Sequence, residues 1–364
     1  MLLAGLGSLA LPVLCLQADG PDDMHLAPSE RPAQYRGVAI QVHGRDDAVG
    51  VFGRLIEEVA DLGADTVLLS ADGYQDDIDS VIISHDRAVT PPDEQWLELF
   101  AIAKRRGLGV VLMPKVLLAD PREGAWRGKI APVSWKAWFE QYTALVMRFA
   151  RLAQRGQVDV LVVGSELVSA EKHTAFWREL IRQVRSVYAG KLAYSANWDH
   201  YKGIRFWSDL DLIGMTTYYN LNRSKKPNPS AEQLEKAWEP IRERILKWQA
   251  RVDRPLLFTE VGWCSQEGCS TVPWNYYHSD QATPAGHAEQ AANYEAFIKA
   301  WSGQPQVAGL IFWEWTPSPG GADDHHYTPR NKPAQAVLQS FFGGDAMRHS
   351  MPSTTAPLAG QGSD

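Results

Sequence analysis

Cysteine is scarce in this chain of 364 residues: there are three, at positions 15, 264 and 269. Structural zinc wants four ligands, so the close pair at 264 and 269 does not make a zinc site. A Gly-rich phosphate turn is missing after the first strand-like run, which argues against a doubly wound nucleotide-binding sheet. Positive charge is not in excess. With 36 Lys and Arg against 43 Asp and Glu, the net charge of −7 speaks against nucleic acid or an anionic membrane as partner. The rest of the composition, 45% hydrophobic and 22% charged, is that of a soluble globular protein.

One long apolar stretch is present at the start. MLLAGLGSLALPVLCLQA (1–18) carries no charge before Asp19 opens a polar segment. Its length fits the apolar part of a signal peptide, with cleavage after Ala18 and no membrane segment in the mature form, although the usual positive flank is missing. Pro12-Val13-Leu14 matches poorly to the small residues that precede a lipidated cysteine at Cys15. The expected localisation is secreted or periplasmic. Export leaves Cys264 and Cys269, in CSQEGC, and in an oxidising compartment that pair is expected to close a small disulfide loop. Residues 19–34 read as a linker or N-terminal arm, and 344–364, rich in Ser, Thr, Pro and Gly, as a disordered tail.

Residues 35–343 alternate strand-length apolar runs with helical patterns, the signature of a parallel sheet. Eight runs are present, at 36–42, 64–70, 107–116, 158–166, 191–198, 210–219, 254–260 and 307–315. A helical pattern follows each, except that only a short segment separates the fifth from the sixth. Eight such units predict an α/β fold, a single-domain (β/α)8 TIM barrel, with a monomer as the expected state.

Barrels of this kind carry their functional side chains at the C-terminal ends of the strands. Read in order, those ends hold Gln41 and His43, Ser70 and Asp72, Lys115, Glu166, Asn197 and Trp198, Tyr218 and Tyr219, Glu260, and Trp313, Glu314 and Trp315. The central stretch is PLLFTEVGW (255–263), an apolar strand that ends on Glu260. A carboxylate is costly there unless partners surround it. VDVLVVGSE (158–166) ends in the same way on Glu166. Strands four and seven face one another across a barrel mouth. Two carboxylates so placed meet the minimum need of glycoside hydrolysis: one protonates the leaving oxygen, and the other attacks the anomeric carbon or activates water. Fourteen tryptophans add rings of the kind that serve as platforms for sugar faces.

VVGSEL (162–167), FTEVGW (258–263) and FWEW (312–315), set on this pattern, resemble the clan A retaining glycoside hydrolases. They look most like glycoside hydrolase family 113, whose known members are largely endo-β-1,4-mannanases, and the resemblance runs over most of 35–342. It implies that Glu166 is the general acid/base and Glu260 the nucleophile. It also implies that Tyr218 or Tyr219 holds the nucleophile ionised and that Trp313 floors the sugar at the cleavage subsite. The implied substrate is an oligo- or polysaccharide, β-1,4-mannan or a related β-glycan, with no cofactor and no metal. Many clan A enzymes place Asn directly before the acid/base. This chain has Ser165 there, and Asn197 is the amide that can stand in. Glu166 is then expected to have its pKa raised by burial and by Glu260, with the carboxyl groups ~5–5.5 Å apart.

Further candidates line the expected mouth. Lys115 is read as contacting a sugar hydroxyl or pairing with a mouth carboxylate. Asp72 and Gln75, with Tyr74 and Asp76, are placed in the loop after the second strand, at a minus subsite or simply solvated. Trp263, with Trp274, Tyr276 and Tyr277, crowds the loop after strand seven and is placed along the cleft. By strand alternation Glu314 is expected to point away from its neighbouring tryptophans into a structural pair. The run Asp323, Asp324, His325, His326 offers an alternative, a metal-dependent carbohydrate hydrolase or deacetylase. Adjacent residues rarely all aim at one ion, however, and a loop capping the cleft is the other reading. A non-catalytic carbohydrate-binding barrel is the third possibility.

Overall fold

The structure, a computed structural model, describes residues 34–85 and 90–343. The expected signal peptide, the tail, and all of the arm but Gln34 lie outside the described residues. Eight parallel strands close in sequence order: β1 (Tyr35–Val42), β2 (Thr66–Gln75), β3 (Gly109–Leu118), β4 (Val160–Ser165), β5 (Lys191–Ala196), β6 (Leu212–Thr216), β7 (Leu256–Val261) and β8 (Val307–Phe312). Pairing of β1 with both β2 and β8 shuts the barrel. Helices α1 (Ala48–Asp61), α2 (Asp93–Arg105), α3 (Trp135–Arg155) and α4 (Thr174–Arg185) follow the first four strands in turn. Helices α5 (Ala231–Val252), α6 (Pro284–Trp301) and α7 (Pro333–Gly343) follow the last three. The β5–β6 link has no α-helix. It holds two 3-10 turns, Tyr201–Gly203 and Trp207–Asp209, as the short segment in the sequence predicts.

Local chemistry accounts for these elements. Strands covered on both faces read as unbroken apolar runs, and β4 and β7 are buried at every position. Ser230 and Gln233 form a reciprocal cap at the start of α5, and Thr283 followed by Pro284 opens α6. Two apolar layers result. One fills the barrel, with Ala39, Leu68, Val111, Val160, Leu257 and Ile311 among its members. The other lies between barrel and helices. Where the β5–β6 helix is missing, Phe206 stacks on Trp177 of α4 and meets Tyr194 of β5 edge-on.

Two departures from the sequence reading bear on the site. First, β2 and β3 run on past the expected rim in register, with Asp72 opposite Lys115 and Gln75 opposite Leu118. Their extension is held because the chain after β2 folds back, exchanging backbone bonds between Tyr74 and Ser84 (2.8 and 2.7 Å). Asp72 and Gln75 are therefore strand residues, not loop residues. Second, Cys264 and Cys269 are buried free thiols, against the expected disulfide. Another device ties their loop. Glu289 on α6 accepts from the amides of Gly268 (2.8 Å) and Ser270 (2.9 Å), while Cys269 Sγ accepts from Asn293 Nδ2 at 3.6 Å. Burial pushes the Cys264 thiol up to about 12.

Candidate active site

Glu260 stands near the end of β7 with almost no exposure. Thr217 clamps its backbone, donating to the Glu260 carbonyl from both N–H (3.1 Å) and Oγ1 (3.0 Å). That clamp brings Tyr218 over the carboxylate, where its hydroxyl donates to Oε2 at 3.1 Å. Burial, with the charge of Glu260 beside it, pushes the Tyr218 phenol well above its usual range, so it stays a donor. Tyr219, the other candidate for this contact, turns away. Its hydroxyl bonds the Trp198 carbonyl (2.5 Å) and its ring meets Trp238.

Glu166 is the first residue after β4 and sits in the left-handed region, φ +53°. For a side chain with a Cβ this costs roughly 1–2 kcal/mol, so its neighbours must hold it. Two bonds to β5 do so. The Glu166 amide donates to Ser195 O (2.8 Å), and the Leu167 amide donates to the Tyr194 hydroxyl (3.0 Å). Of the carboxylate oxygens, Oε1 accepts from Thr216 Oγ1 (3.1 Å) and Oε2 from Arg127 Nη2 (2.5 Å). Burial and the charge of Glu260 outweigh Arg127, and the Glu166 pKa rises to about 7.

The same Arg127 nitrogen lies 3.9 Å from Glu260 Oε1. Those two carboxylate oxygens are thus no farther apart than 2.5 and 3.9 Å laid end to end, about 6.4 Å. The pair meets at one point.

Beside it runs a chain of polar contacts from β8 round to β1. Glu314 Oε2 accepts from Gln41 Nε2 (2.7 Å), and Gln41 Oε1 accepts from Lys115 Nζ (2.8 Å). Lys115 is 3.7 Å from Asp72 Oδ1, and Asp72 Oδ2 is 3.1 Å from His43 Nδ1. Burial alone would raise Asp72, but Lys115 and His43 hold it below the ordinary carboxylate range. Lys115 also lies 4.9 Å from the centre of the Trp313 ring, which joins the apolar cluster inside the barrel. Glu314 corrects the alternation argument. β8 ends at Phe312, so Trp313 and Glu314 are free of the strand period and both join the mouth, while Trp315 turns out to bond Glu58 (2.7 Å). Burial pushes Glu314 up to about 7.

Trp198 donates its backbone N–H to Thr216 Oγ1 (3.1 Å), placing β5's end behind the Glu166 contact. Its ring stacks with the half-exposed Trp274 at 5.9 Å and 17°. Asn197 has a buried Oδ1 with no hydrogen-bond donor among the described residues. Two candidates fall outside the mouth. Gln75 accepts from Trp138 Nε1 (2.7 Å) and donates to Asp77 O, a brace between β2 and α3. Trp263, two residues past the end of β7, is fully buried against Tyr294 and Phe297.

The run at 323–326 is a brace as well. Asp324 is taken by the buried Lys332 (2.7 Å), which also donates to Ser265 Oγ and His326 O. Among the described residues no three His, Cys, Asp or Glu side chains converge as metal ligands.

Sequence reasoning missed Arg127, Thr216 and Glu171. Arg127 lies in a long loop that has no period to read. Thr216 was findable, since it stands two residues before Tyr218 on the face the two share. Glu171 accepts from Tyr194 Oη (2.9 Å), the hydroxyl that holds Leu167, and burial pushes it up to about 8. A carboxyl raised on folding contributes stability that is fully present below its unfolded pKa and is lost as pH rises from about 4.5 towards 8. Glu171→Gln keeps the acceptor and removes the charge. We expect it to match the wild type in urea unfolding at pH 4.5 and to exceed it by about 2–4 kcal/mol at pH 8.5.

A closed (β/α)8 barrel that brings glutamates from the ends of its fourth and seventh strands to one point is the arrangement of the clan A glycoside hydrolases. A model described as Glycoside Hydrolase Family 113 matches residues 53–332, and the chain belongs to that family. Among solved structures it is similar to the GH113 β-mannanase AaManA from Alicyclobacillus acidocaldarius in complex with ManMIm. Identity there is 28% and the TM-score 0.76, over 86% of this chain and 98% of that one. A second GH113 β-1,4-mannanase matches at 25% identity and TM-score 0.73, over 85% and 99%. A family 5 mannosidase from Rhizomucor miehei, at 11% identity and TM-score 0.57 over 88% and 94%, shares the fold. No curated protein sequence matches the chain. It is a glycoside hydrolase.

Proposed function

We propose that this enzyme hydrolyses β-1,4-mannan or a closely related β-glycan with retention of configuration, using Glu260 as nucleophile and Glu166 as acid/base. One observation carries the reading: two buried glutamates within reach of a common nitrogen have opposed surroundings. Glu166 has a raised pKa and can hold a proton near neutrality, while Glu260 receives a hydrogen bond from a phenol that stays protonated. The facing oxygens of the two carboxylates lie within about 6.4 Å of each other, so both can reach one sugar ring. The mannanase relatives supply the substrate class.

In the first step Glu260 attacks the anomeric carbon while Glu166 gives its proton to the departing glycosidic oxygen. The bond to the leaving sugar breaks and a glycosyl ester forms on Glu260. In the second step Glu166, now ionised, takes a proton from water. The water oxygen bonds to the anomeric carbon and the ester bond breaks, which frees Glu260. Trp313 offers the sugar an apolar face, and Lys115 beside it presents a charge-assisted donor.

The test is hydrolysis of mannan, glucomannan, cellulose and xylan oligosaccharides, with proton NMR of the first product formed. Mannan-type chains are expected to be cleaved, with the β-anomer appearing first. An α-anomer appearing first would overturn the mechanism. Turnover of xylan or cellulose alone would overturn the substrate.

A further inference from the structure

We propose that Arg127 is a latch on the acid/base that the glycan displaces, and that its departure lets Glu166 take up the proton it will donate. The proposal rests on Glu166 being the acid, and it concerns what happens before the chemistry. Each oxygen of Glu166 accepts a hydrogen bond, Oε1 from Thr216 and Oε2 from Arg127 at 2.5 Å. A glycosidic oxygen must come within ~2.6–3.2 Å of one of them to receive a proton. Thr216 is a strand residue whose hydroxyl is also held by the Trp198 amide. Arg127 is the partner that can leave.

Its position argues the same. A nitrogen touching Glu166 and 3.9 Å from Glu260 stands within contact range of both carboxylates, so a scissile bond brought to the pair meets the guanidinium there.

The backbone beneath Arg127 is fixed, so the motion belongs to the side chain. Arg127 begins a 3-10 turn (Arg127–Lys129) docked on the loop after Glu166. Ser169 donates from N–H to Gly128 O (3.1 Å) and from Oγ to Ile130 O (2.5 Å). Gly128 lies under the Trp126 ring, so close that a Cβ there would meet the ring at 2.2 Å. Among the described residues the guanidinium has one other hydrogen bond, Nε to Ser165 O, long at 3.3 Å, and the side chain is 18% exposed, which leaves a way out.

Charge then couples the motion to a proton. The groups facing Glu166 are Arg127 and Lys115, which favour its ionised form, Glu260, which opposes it, the Thr216 hydroxyl, the Tyr218 phenol, and Glu171 behind it. Lys115 is already shared with Gln41 and Asp72. Burial and Glu260 already outweigh Arg127; when Arg127 leaves, its opposition is gone, the balance moves further toward the protonated form, and the proton comes from solvent.

The experiment compares pH profiles of kcat/KM, which report free enzyme, with those of kcat, which report the complex, on β-1,4-mannohexaose. In the wild type the basic limb of kcat is expected at least about one pH unit above that of kcat/KM. In Arg127→Ala the kcat/KM limb moves up to meet it and KM falls. Coincident limbs in the wild type, with Arg127→Ala slowing every pH equally, would overturn the latch and leave Arg127 as a fixed binding group. A second reading needs no variant. At pH 8, binding of a thio-linked mannan oligosaccharide to the wild type, followed calorimetrically in buffers of different ionisation enthalpy, is expected to take up a large fraction of one proton. No uptake would also overturn the latch. Failure of the acid assignment itself looks different, because Glu166→Ala would then keep the wild-type basic limb.

Discussion

Glu260→Gln is expected to remove turnover of mannan oligosaccharides, with kcat falling on the order of 10⁴-fold or more, ~5.5 kcal/mol of barrier. Glutamine fills the same volume and can still accept from Tyr218, whose hydroxyl lies 3.1 Å from Oε2, so the fold should be untouched. What it lacks is a nucleophilic oxygen able to form the glycosyl ester. The measurement is reducing-sugar release against near-ultraviolet circular dichroism, which reports the buried tryptophans. A variant that folds and retains more than a tenth of the wild-type rate would show that another carboxylate attacks. Glu314, the third glutamate of the mouth, would then be the first alternative.

Glu166→Ala should behave differently. Proton donation matters most when the leaving oxygen is a poor leaving group, so oligosaccharide cleavage is expected to fall about 10²–10⁴-fold. An aryl mannoside with an acidic phenol leaves without help, and its first step should be nearly unaffected. The ester on Glu260 would then wait for a base. Azide is expected to relieve that block and to yield a β-mannosyl azide, visible by chromatography. The vacated space faces Arg127, which loses its 2.5 Å partner and offers an anion a positive neighbour. Equal losses on both substrates, or no effect of azide, would remove Glu166 from the acid/base role.

The barrel was legible because its signal is local. A strand buried on both faces shows as an apolar run, and a helix covering it shows as an amphipathic one. The glutamates were legible for the same reason, since β4 and β7 open as apolar runs, and Glu166 follows the end of one while Glu260 stands near the end of the other. Pairing across the chain was not legible. The polar segment SADGYQ gives no hint that β2 continues to Gln75, because its stability comes from β3 alongside and from Ser84 folding back. Direction was harder still. Trp263 stands two residues past the end of β7, where the strand period no longer fixes which way a side chain turns. The spacing of Cys264 and Cys269 says how far apart they are along the chain, not where each sulfur points. Arg127 reaches the site from a turn, on a long side chain, and only coordinates reveal that.

The left-handed backbone of Glu166 is a debt to selection. At that position the fold by itself would favour glycine or asparagine, which take this conformation at little cost, and it would avoid a buried carboxyl. On the proposed mechanism it is catalysis that keeps glutamate there, so fitness and stability pull against each other. In a duplicated copy released from the demand for turnover, position 166 should drift early. The barrel would survive the change and gain from it. Sequences of this fold with a small residue at the end of the fourth strand would then be the descendants that kept the scaffold and gave up the reaction.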